Sequence, residues 1–231
     1  MSVFTITGDV DPFLHVSLAK GEKIYCESNA MVMMETNLEL KGKMTGGIGA
    51  ALMRTFANGE SFFQQHIEAM RGDGDCLLSP TLPGAMRVLE VGAQQYMISD
   101  GAFVAASAGV ELKVRTQSLG NALFAQSGGF FITETAGSGQ LAVSGFGAMS
   151  ILEVTPGKDV VIDNSHVVCW DNRLQYEISM TTGSSGGFLG NLINSQTSGE
   201  GVVLKFSGTG KILVCSRNRA AFLAWTQSKP A

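Results

Sequence analysis

Three stretches of the chain share one outline, and this internal repeat constrains the fold more than any other feature of the sequence. Each stretch begins with a glycine and continues with an apolar run, a polar or small turn, and a second apolar run. The turns are Ser28-Asn29, Asp100-Gly101 and Asn164-Ser165, residue types that favour a tight reversal between strands. The leading glycines are Gly21, Gly92 and Gly157. The pattern predicts a β-hairpin at the same place in three tandem units.

A segment of alternating apolar and polar residues follows each hairpin at nearly the same distance from its leading glycine. The clearest is 174–180, where the alternation has no exception, and 38–41 and 110–115 show the same pattern. Because successive side chains of a strand point to opposite faces, each segment is predicted to place one face on a core and the other in water.

Each unit closes with an apolar hairpin around a Gly-x-Gly turn, at 72–74, 137–139 and 208–210. The number of residues from the leading glycine to this turn varies among the units, whereas the number from this turn to the next leading glycine is constant. Insertions in a surface loop before the turn would produce this pattern. Before it lie short helix-like patterns at 48–52, 119–123 and 189–193. Glycine is abundant, 29 of 231 residues, as tight turns between short strands require.

The fold class that follows is all-β, with three tandem pseudo-repeats packed around a pseudo-threefold axis. The repeats span about 14–86, 87–151 and 152–221, and their signals predict about five strands in each. They abut without a linker, so we predict that residues 1–231 form a single compact domain with a shared core. Antiparallel strands with tight turns favour sandwich or short-barrel units.

The charge balance argues against nucleic-acid binding. Lys and Arg number 16 against 20 Asp and Glu, a net charge of -4, and only 16% of residues are charged. A phosphate-reading surface must be basic, because counterion release supplies most of its affinity. We therefore expect no nucleic-acid partner. The alternative, RNA binding, would use the basic residues of the alternating segments: Lys41, Lys43, Lys113 and Arg115.

The four cysteines form no Cys-x-x-Cys pair, and Cys169 and Cys215 lie in apolar runs, so we interpret Cys26, Cys76, Cys169 and Cys215 as reduced core thiols. The first residues lack the charged and apolar regions of a signal peptide. No apolar run approaches the ~18 residues of a membrane span. These features predict a cytoplasmic protein without a cofactor or metal, and leave peripheral membrane association open.

No residues in the sequence have the spacing of an established catalytic or metal site. His15, His66 and His166 are far apart, and none forms the close pair that metal sites of β-barrels use. The segment 183–187 matches the Gly-x-Ser-x-Gly nucleophile motif, but the last histidine precedes it, the reverse of the hydrolase order. We interpret this segment as a structural turn and assign no catalytic residues.

Two Gly-x-Gly turns partly match ligand-binding loops. The segment 208–211 lacks both the Ser or Thr and the earlier glycine of a phosphate loop. The segment 71–75 offers two carboxylates, whereas calcium takes six to eight oxygen ligands. We interpret both as turns. The methionines of 31–34 are predicted to fill the core rather than to line an adaptable surface.

Thr155-Pro156-Gly157-Lys158 with the hairpin after it, the run Gly101-Ala102-Phe103, and the Gly-x-Gly hairpins resemble the altered inheritance of mitochondria protein 24 family. The resemblance extends from about Phe13 to Phe222, although Lys20-Gly21-Glu22 departs from the family's Pro-Gly-Glu. It implies a fold similar to the trp RNA-binding attenuation protein, a short double-stranded β-helix that assembles into rings. It implies no catalytic residues, and the mitochondrial members look like factors that support inner-membrane organisation.

The function predicted from these features is that of a non-enzymatic, self-assembling binding or scaffold protein. Antiparallel units leave sheet edges with unpaired backbone groups, and a chain with few charges has little to defend them with. We therefore predict a homo-oligomer, most simply a trimer, with other protein partners undefined. The alternatives are an RNA-binding or small-ligand-binding protein, by analogy of fold, and an enzyme with an unrecognised site.

Overall fold

The computed structural model describes residues 2–43, 64–116, 131–180 and 202–228 of the chain. These residues form antiparallel strands with a single α-helix near the end, which confirms the predicted all-β class. None of the helices in these ranges is long and apolar enough to cross a membrane. Contacts divide the chain into two compact units, Met1–Ser144 and Gly145–Ala231. The predicted single domain of three repeats stays a prediction.

The first unit contains strands β1 to β13. They are β1 (Val3–Thr7), β2 (Phe13–Leu18), β3 (Lys23–Glu27), β4 (Met31–Met34), β5 (Leu38–Lys43), β6 (Gln64–Ala69), β7 (Gly74–Leu78), β8 (Met86–Val91), β9 (Tyr96–Ser99), β10 (Phe103–Ser107), β11 (Val110–Thr116), β12 (Phe131–Gly137) and β13 (Gly139–Ser144). Their orders across the sheets are β1-β2-β7-β4, β5-β6-β3-β10-β13-β8 and β11-β12-β9.

The second unit contains strands β14 to β19 and the helix α1. They are β14 (Met149–Val154), β15 (Val160–Asp163), β16 (Val167–Asp171), β17 (Gln175–Met180), β18 (Val202–Ser207), β19 (Gly210–Cys215) and α1 (Arg219–Ser228). A 3-10 turn, Asn164–His166, joins β15 to β16, and the Asp163 side chain caps it by accepting from the Ser165 amide at 2.9 Å. The strand orders are β16-β19-β14 and β15-β18-β17.

One pairing scheme occurs in three consecutive sets of six strands. In β2 to β7, strand β7 pairs with β2 and β4, and β6 pairs with β3 and β5. In β8 to β13, β13 pairs with β8 and β10, and β12 with β9 and β11. In β14 to β19, β19 pairs with β14 and β16, and β18 with β15 and β17. We call these sets the first, second and third pairing modules.

The hairpins predicted from the sequence are wrong in all three modules. The strands that flank the Ser28-Asn29 turn, β3 and β4, and those that flank the Gly-x-Gly turn at 72–74, β6 and β7, pair with other strands because the chain passes from one sheet to another at each turn, and the second and third modules do the same.

Each module has six strands, whereas the sequence signals predicted about five. The strand that the sequence analysis missed comes before the leading glycine, as β2, β8 or β14. Exposure along β8 and β14 does not alternate from one residue to the next. A search for period-two patterning therefore finds no signal in these two strands.

The Gly-x-Gly turns lead directly into the last strand of each module, since Gly74, Gly139 and Gly210 begin β7, β13 and β19. A Cβ added at Gly74 would lie 2.9 Å from a methyl carbon of Leu38, and one added at Gly210 would lie 2.9 Å from Cγ of Leu174. The counterpart at Gly139 would lie 3.3 Å from a methyl carbon of Val110. All three partners are buried and open the predicted alternating segments, so glycine is required by close packing.

The leading glycines Gly21, Gly92 and Gly157 each lie between the first and second strands of a module. Gly21 has a φ of 85° and Gly157 a φ of 79°, a left-handed conformation that glycine adopts without strain. Gly92 is in the corresponding connection but is not among the glycines with positive φ.

A β-bulge interrupts the third strand of every module. The pairing shifts between Met31 and Met33 in β4, between Phe103 and Ala105 in β10, and between Val167 and Cys169 in β16. The residue at the shift is a valine each time: Val32, Val104 and Val168. A bulge adds one unpaired residue and bends the strand locally.

Each unit has its own apolar core. In the first unit, fully buried side chains from β2, β3, β6 and β7, including Leu14, Ile24 and Ile67, form one cluster. In the second unit Trp170 is fully buried, and its ring packs edge-on against Tyr176 at 5.3 Å and Phe206 at 5.4 Å between centroids.

Candidate interaction surfaces

Strand β4 exposes apolar side chains at the edge of its sheet. It lies last in the order β1-β2-β7-β4, and its sequence is Met-Val-Met-Met. Val32 is 53% exposed and Met33 is 40% exposed, while Met31 and Met34 are half-buried against the core. The prediction that these methionines fill the core is therefore wrong for Met33, because no described strand covers the outer edge of β4.

Strand β10, the counterpart of β4 in the second module, is buried along its whole length. Its outer edge pairs antiparallel with β3 of the first module, with Ala105 opposite Cys26 and Ala106 opposite Tyr25. The two third strands therefore differ in whether another strand covers the outer edge.

Strand β15 is a second apolar strand at a sheet edge. It lies first in the order β15-β18-β17 and contains no fully buried residue, and Val161 is 41% exposed. Its counterpart in the first module is β3, which buries Ile24 and Cys26. Strands β10 and β3 are buried because they pair with each other. In the described parts of the chain, their counterparts β4 and β15 lie at sheet edges and are more exposed.

The helix α1 is exposed at every residue and carries three large apolar side chains: Phe222, Leu223 and Trp225. Asn218 caps its start by accepting a hydrogen bond from the Ala221 amide at 3.0 Å. Phe222 packs edge-on against Phe146, with 5.2 Å between ring centroids. The Arg217 guanidinium lies 5.9 Å from the centre of the Phe146 ring, within cation–π range.

A shallow crevice of about 290 Å³ lies beside α1, lined by Phe146, Arg217, Asn218, Phe222 and Trp225. This volume of about 290 Å³ is just below the range for small-molecule sites, about 300–1,000 Å³. The lining has aromatic faces and one cation, but no carboxylate, imidazole or thiol. It therefore offers a surface for apolar contact without a general acid, a general base or a nucleophile.

The three histidines each have a separate structural contact. His15 Nε2 lies 3.2 Å from an Asp75 carboxylate oxygen, and the His66 ring packs edge-on against Tyr25. His166 Nδ1 lies 2.8 Å from the Cys215 carbonyl oxygen, at the end of the 3-10 turn. Within the ranges that the structure describes, no three His, Cys, Asp or Glu residues come together as a metal-binding group.

The four cysteines are free thiols and all are buried. Burial raises the pKa of Cys26, Cys76 and Cys169 to about 12, and burial also raises the pKa of Cys215. Because the thiolate is the reactive form, these side chains are poor nucleophiles at neutral pH.

The segments 71–75 and 208–211, which partly match ligand-binding loops, make ordinary contacts with neighbouring residues. Asp73 accepts a hydrogen bond from the Lys20 amide at 2.7 Å, and Lys211 Nζ lies 3.5 Å from a Glu153 carboxylate oxygen. The Gly-x-Ser-x-Gly segment 183–187 and the three helix-like patterns lie outside the described residues.

The basic residues proposed for RNA binding are paired with carboxylates where their side chains are described. Lys41 Nζ lies 3.2 Å from both Glu39 and Glu68, whose hydrogen bonds raise its pKa. The other pairs are Lys113 with Glu111 and Arg115 with Glu134. The side chain of Lys43 is outside the described part. These partners reduce the positive potential available to phosphates.

The sequence analysis missed a charged pair within the second unit. Asp171 is buried at the end of β16, and its carboxylate accepts from the Arg173 backbone amide and from Nε, each at 3.0 Å. The Arg173 hydrogen bond is the main reason that the pKa of Asp171 is lowered. Two charged residues separated by one position are common in sequences, so nothing in the pattern marked them.

Comparisons with known proteins agree over nearly the whole chain. The model of the family described as Mitochondrial biogenesis AIM24 matches residues 4–217. An uncharacterized protein of Streptococcus pyogenes serotype M6 is 36% identical over 228 residues, which cover 95% of this chain and 87% of that protein. An X-ray crystal structure of a protein from Streptococcus pyogenes superposes with a TM-score of 0.79 at 32% identity, covering 98% of this chain and 99% of that one.

Proposed function

The chain belongs to the mitochondrial biogenesis AIM24 family, and from this premise we propose that it is a non-enzymatic, self-assembling β protein that serves as a binding scaffold. The three pairing modules support a pseudo-threefold arrangement of the kind predicted from the repeats. The proposed active form is a homo-oligomer, most simply a trimer, and its site of action is the cytoplasm.

The observation that carries this proposal is the exposed apolar edge of β4. Charged residues are the usual defence of a sheet edge, and β4 has none. Large apolar patches on a folded chain generally mark association sites, because covering them removes apolar surface from water. The exposed apolar residues of β15 and α1 add further surface of the same kind.

The chemistry of the described residues supports association more than catalysis or RNA binding. The thiols are buried and have raised pKa values, and the crevice beside α1 has no acid, base or nucleophile. The basic side chains of β5 and β11 have carboxylate partners. The large apolar side chains that stay exposed on β4, β15 and α1 suit protein contact.

Size-exclusion chromatography with light scattering tests the proposal on the full-length protein at micromolar concentration. We expect a mass that is a multiple of the 24.4 kDa chain, with three chains as the simplest case. A monomer mass at every concentration would contradict self-assembly. Tight retention of single-stranded RNA on a filter, weakened by salt, would favour the RNA-binding alternative instead.

A further inference from the structure

We propose that α1 and the residues just before it attach the protein to the surface of a membrane that contains anionic phospholipids. The large apolar side chains of the helix enter the headgroup region, and the arginines at its start bind lipid phosphates. The helix lies beyond residues 4–217, the part of the chain that matches the family model. The inference also goes beyond the proposed self-assembly, which is carried by the β4 edge.

The chain just before α1 is held against the connection that leads into β14. The Arg217 amide donates to the Phe146 carbonyl oxygen at 3.2 Å, and the Ser216 amide donates to the Ala148 carbonyl oxygen at 2.9 Å. The Ser216 hydroxyl oxygen accepts from the Ala148 amide, also at 2.9 Å. The second unit therefore holds the base of α1 in place, while every residue of the helix itself stays exposed.

The exposed side chains of α1 are of the types that helices on a membrane surface use. Phe222, Leu223 and Trp225 are all exposed, and with 3.6 residues per turn their positions fall on one side of the helix. Helices that lie in the membrane interface bury Trp, Phe and Leu side chains at the boundary between headgroups and acyl chains. Tryptophan suits this level because its ring is apolar and its N–H can reach water or a headgroup.

The charge of this segment is opposite in sign to that of the whole chain. Residues 216–231 contain Arg217, Arg219 and Lys229 and no Asp or Glu, in a chain of net charge -4. Among the described residues Arg217 has no carboxylate partner, and its guanidinium lies near the Phe146 ring. The helix dipole disfavours cations at the start of a helix, so these arginines do not stabilise α1 itself. An anionic membrane surface complements them.

The crevice beside α1 combines two chemical features that a phospholipid also combines. Its lining includes the rings of Phe146, Phe222 and Trp225 next to the side chain of Arg217. A phospholipid has an apolar acyl chain close to a phosphate group. Aromatic surface suits the first, and a guanidinium donates parallel hydrogen bonds to the oxygens of the second.

The exposed apolar area of α1 is too small, taken alone, for a stable protein interface. Phe222, Leu223 and Trp225 are 38%, 46% and 56% exposed, which amounts to about 300 Å² if a whole aromatic side chain presents 150–250 Å². A stable protein interface buries about 800 Å² on each partner. Contact between two α1 helices would also bring like charges together. A bilayer needs no matching shape, so a patch of this size favours lipid as the occupant.

Intrinsic tryptophan fluorescence of the full-length protein tests the contact. The chain has two tryptophans, of which Trp170 is fully buried and Trp225 is exposed. With mixed phosphatidylcholine–phosphatidylglycerol vesicles, we expect the emission to shift to shorter wavelength and quenching by acrylamide to fall, because the Trp225 indole leaves water. Vesicles of phosphatidylcholine alone should bind at least about tenfold more weakly, since they lack the anionic charge.

Two matched pairs of variants assign the binding to this surface, measured by co-sedimentation with the mixed vesicles. Leu223→Glu should weaken binding about tenfold or more, because it places a charge among the apolar side chains of α1. Val10→Glu adds the same charge at an exposed site outside α1 and should change binding about twofold at most. Arg219→Gln should weaken binding about fivefold, whereas Lys158→Gln, which removes the same charge from an exposed turn, should not.

The proposal is wrong if mixed vesicles are not bound, or if phosphatidylcholine alone is bound equally well. Equal losses in Leu223→Glu and Val10→Glu would place the lipid contact elsewhere on the chain. If the wild type ignores vesicles and Leu223→Glu lowers the oligomer mass in light scattering, α1 is a protein contact instead. A monomer that binds mixed vesicles through α1 would contradict self-assembly and support this inference.

Discussion

Strands β4 and β10 have the same position in two pairing modules but opposite surroundings. Each is the third strand, each pairs with the last strand of its module, and each has a bulge at a valine. Val32 is 53% exposed, while Val104 is fully buried. Both strands are apolar, so composition does not explain the difference. Strand β3 covers the outer edge of β10, whereas no described strand covers the outer edge of β4. What a third strand exposes is therefore decided by whether a strand of another module pairs with its outer edge.

The largest expected effect comes from placing a charge on each of the two strands. Ala105→Asp should lower the free energy of unfolding by more than about 4 kcal/mol, because the site is fully buried and offers no partner for a carboxylate. Met33→Asp should cost at most about 1 kcal/mol, since that side chain is partly exposed. Urea denaturation followed by circular dichroism measures both. Equal losses would show that β4 and β10 have similar surroundings.

Truncating one buried leucine in the first module and its counterpart in the third should cause a smaller and similar loss of stability in each. Leu38 and Leu174 are both buried and both pack on the glycine that begins the last strand of the module. Leu38→Ala and Leu174→Ala should each cost about 2–5 kcal/mol, the usual range for a buried leucine. The two values should agree within about 1 kcal/mol if the interiors are equivalent. Denaturation curves monitored by fluorescence provide the comparison, and a large disagreement would limit the likeness of the modules to their strand pairing.

The smallest expected effect is kinetic and compares two buried thiols. Cys76 lies on β7 opposite Met34 of the uncovered β4, whereas Cys26 lies on β3 opposite Ala105 of β10. Opening an edge strand costs less free energy than opening a strand covered on both sides, so Cys76 should react faster. Iodoacetamide labelling with peptide mass spectrometry measures both rates in one sample. Faster labelling of Cys26 would contradict the comparison.

The same thiols give stability a defined pH dependence. Burial raises the pKa of each from about 9.0 to about 12, so the unfolded chain releases these protons at lower pH than the folded chain does. The free energy of unfolding should therefore be constant, as far as these groups are concerned, below pH 9 and fall as the pH rises toward 12, by up to about 1.4 kcal/mol per pH unit for each thiol.

The sequence predicted the features that depend on local pattern. Turn residues located the chain reversals, but the hairpins predicted there were wrong, because the strands on either side of each turn pair with other strands and not with each other. Leu38, Val110 and Leu174 were recognised as the starts of alternating segments because period two is visible in a single strand. The first strand of each module was missed. The alternation is absent from β8 and β14, but it is present in β2, where the signal was overlooked.

The exposure of Met33 was missed for a different reason. It depends on the absence of a covering strand, and no property of residues 31–34 encodes that absence. The Asp171–Arg173 pair is invisible for a similar reason, because the burial of Asp171 is a tertiary property.

The valine bulge of β4 bears on the solubility of the isolated chain. An uncovered apolar strand with regular spacing is a template on which identical strands stack into cross-β fibrils. The shift between Met31 and Met33 breaks that spacing and increases the local twist, so copies of β4 cannot stack on one another in a continuous flat ladder. The irregular edge thus disfavours amyloid-like growth while its apolar side chains remain exposed to solvent.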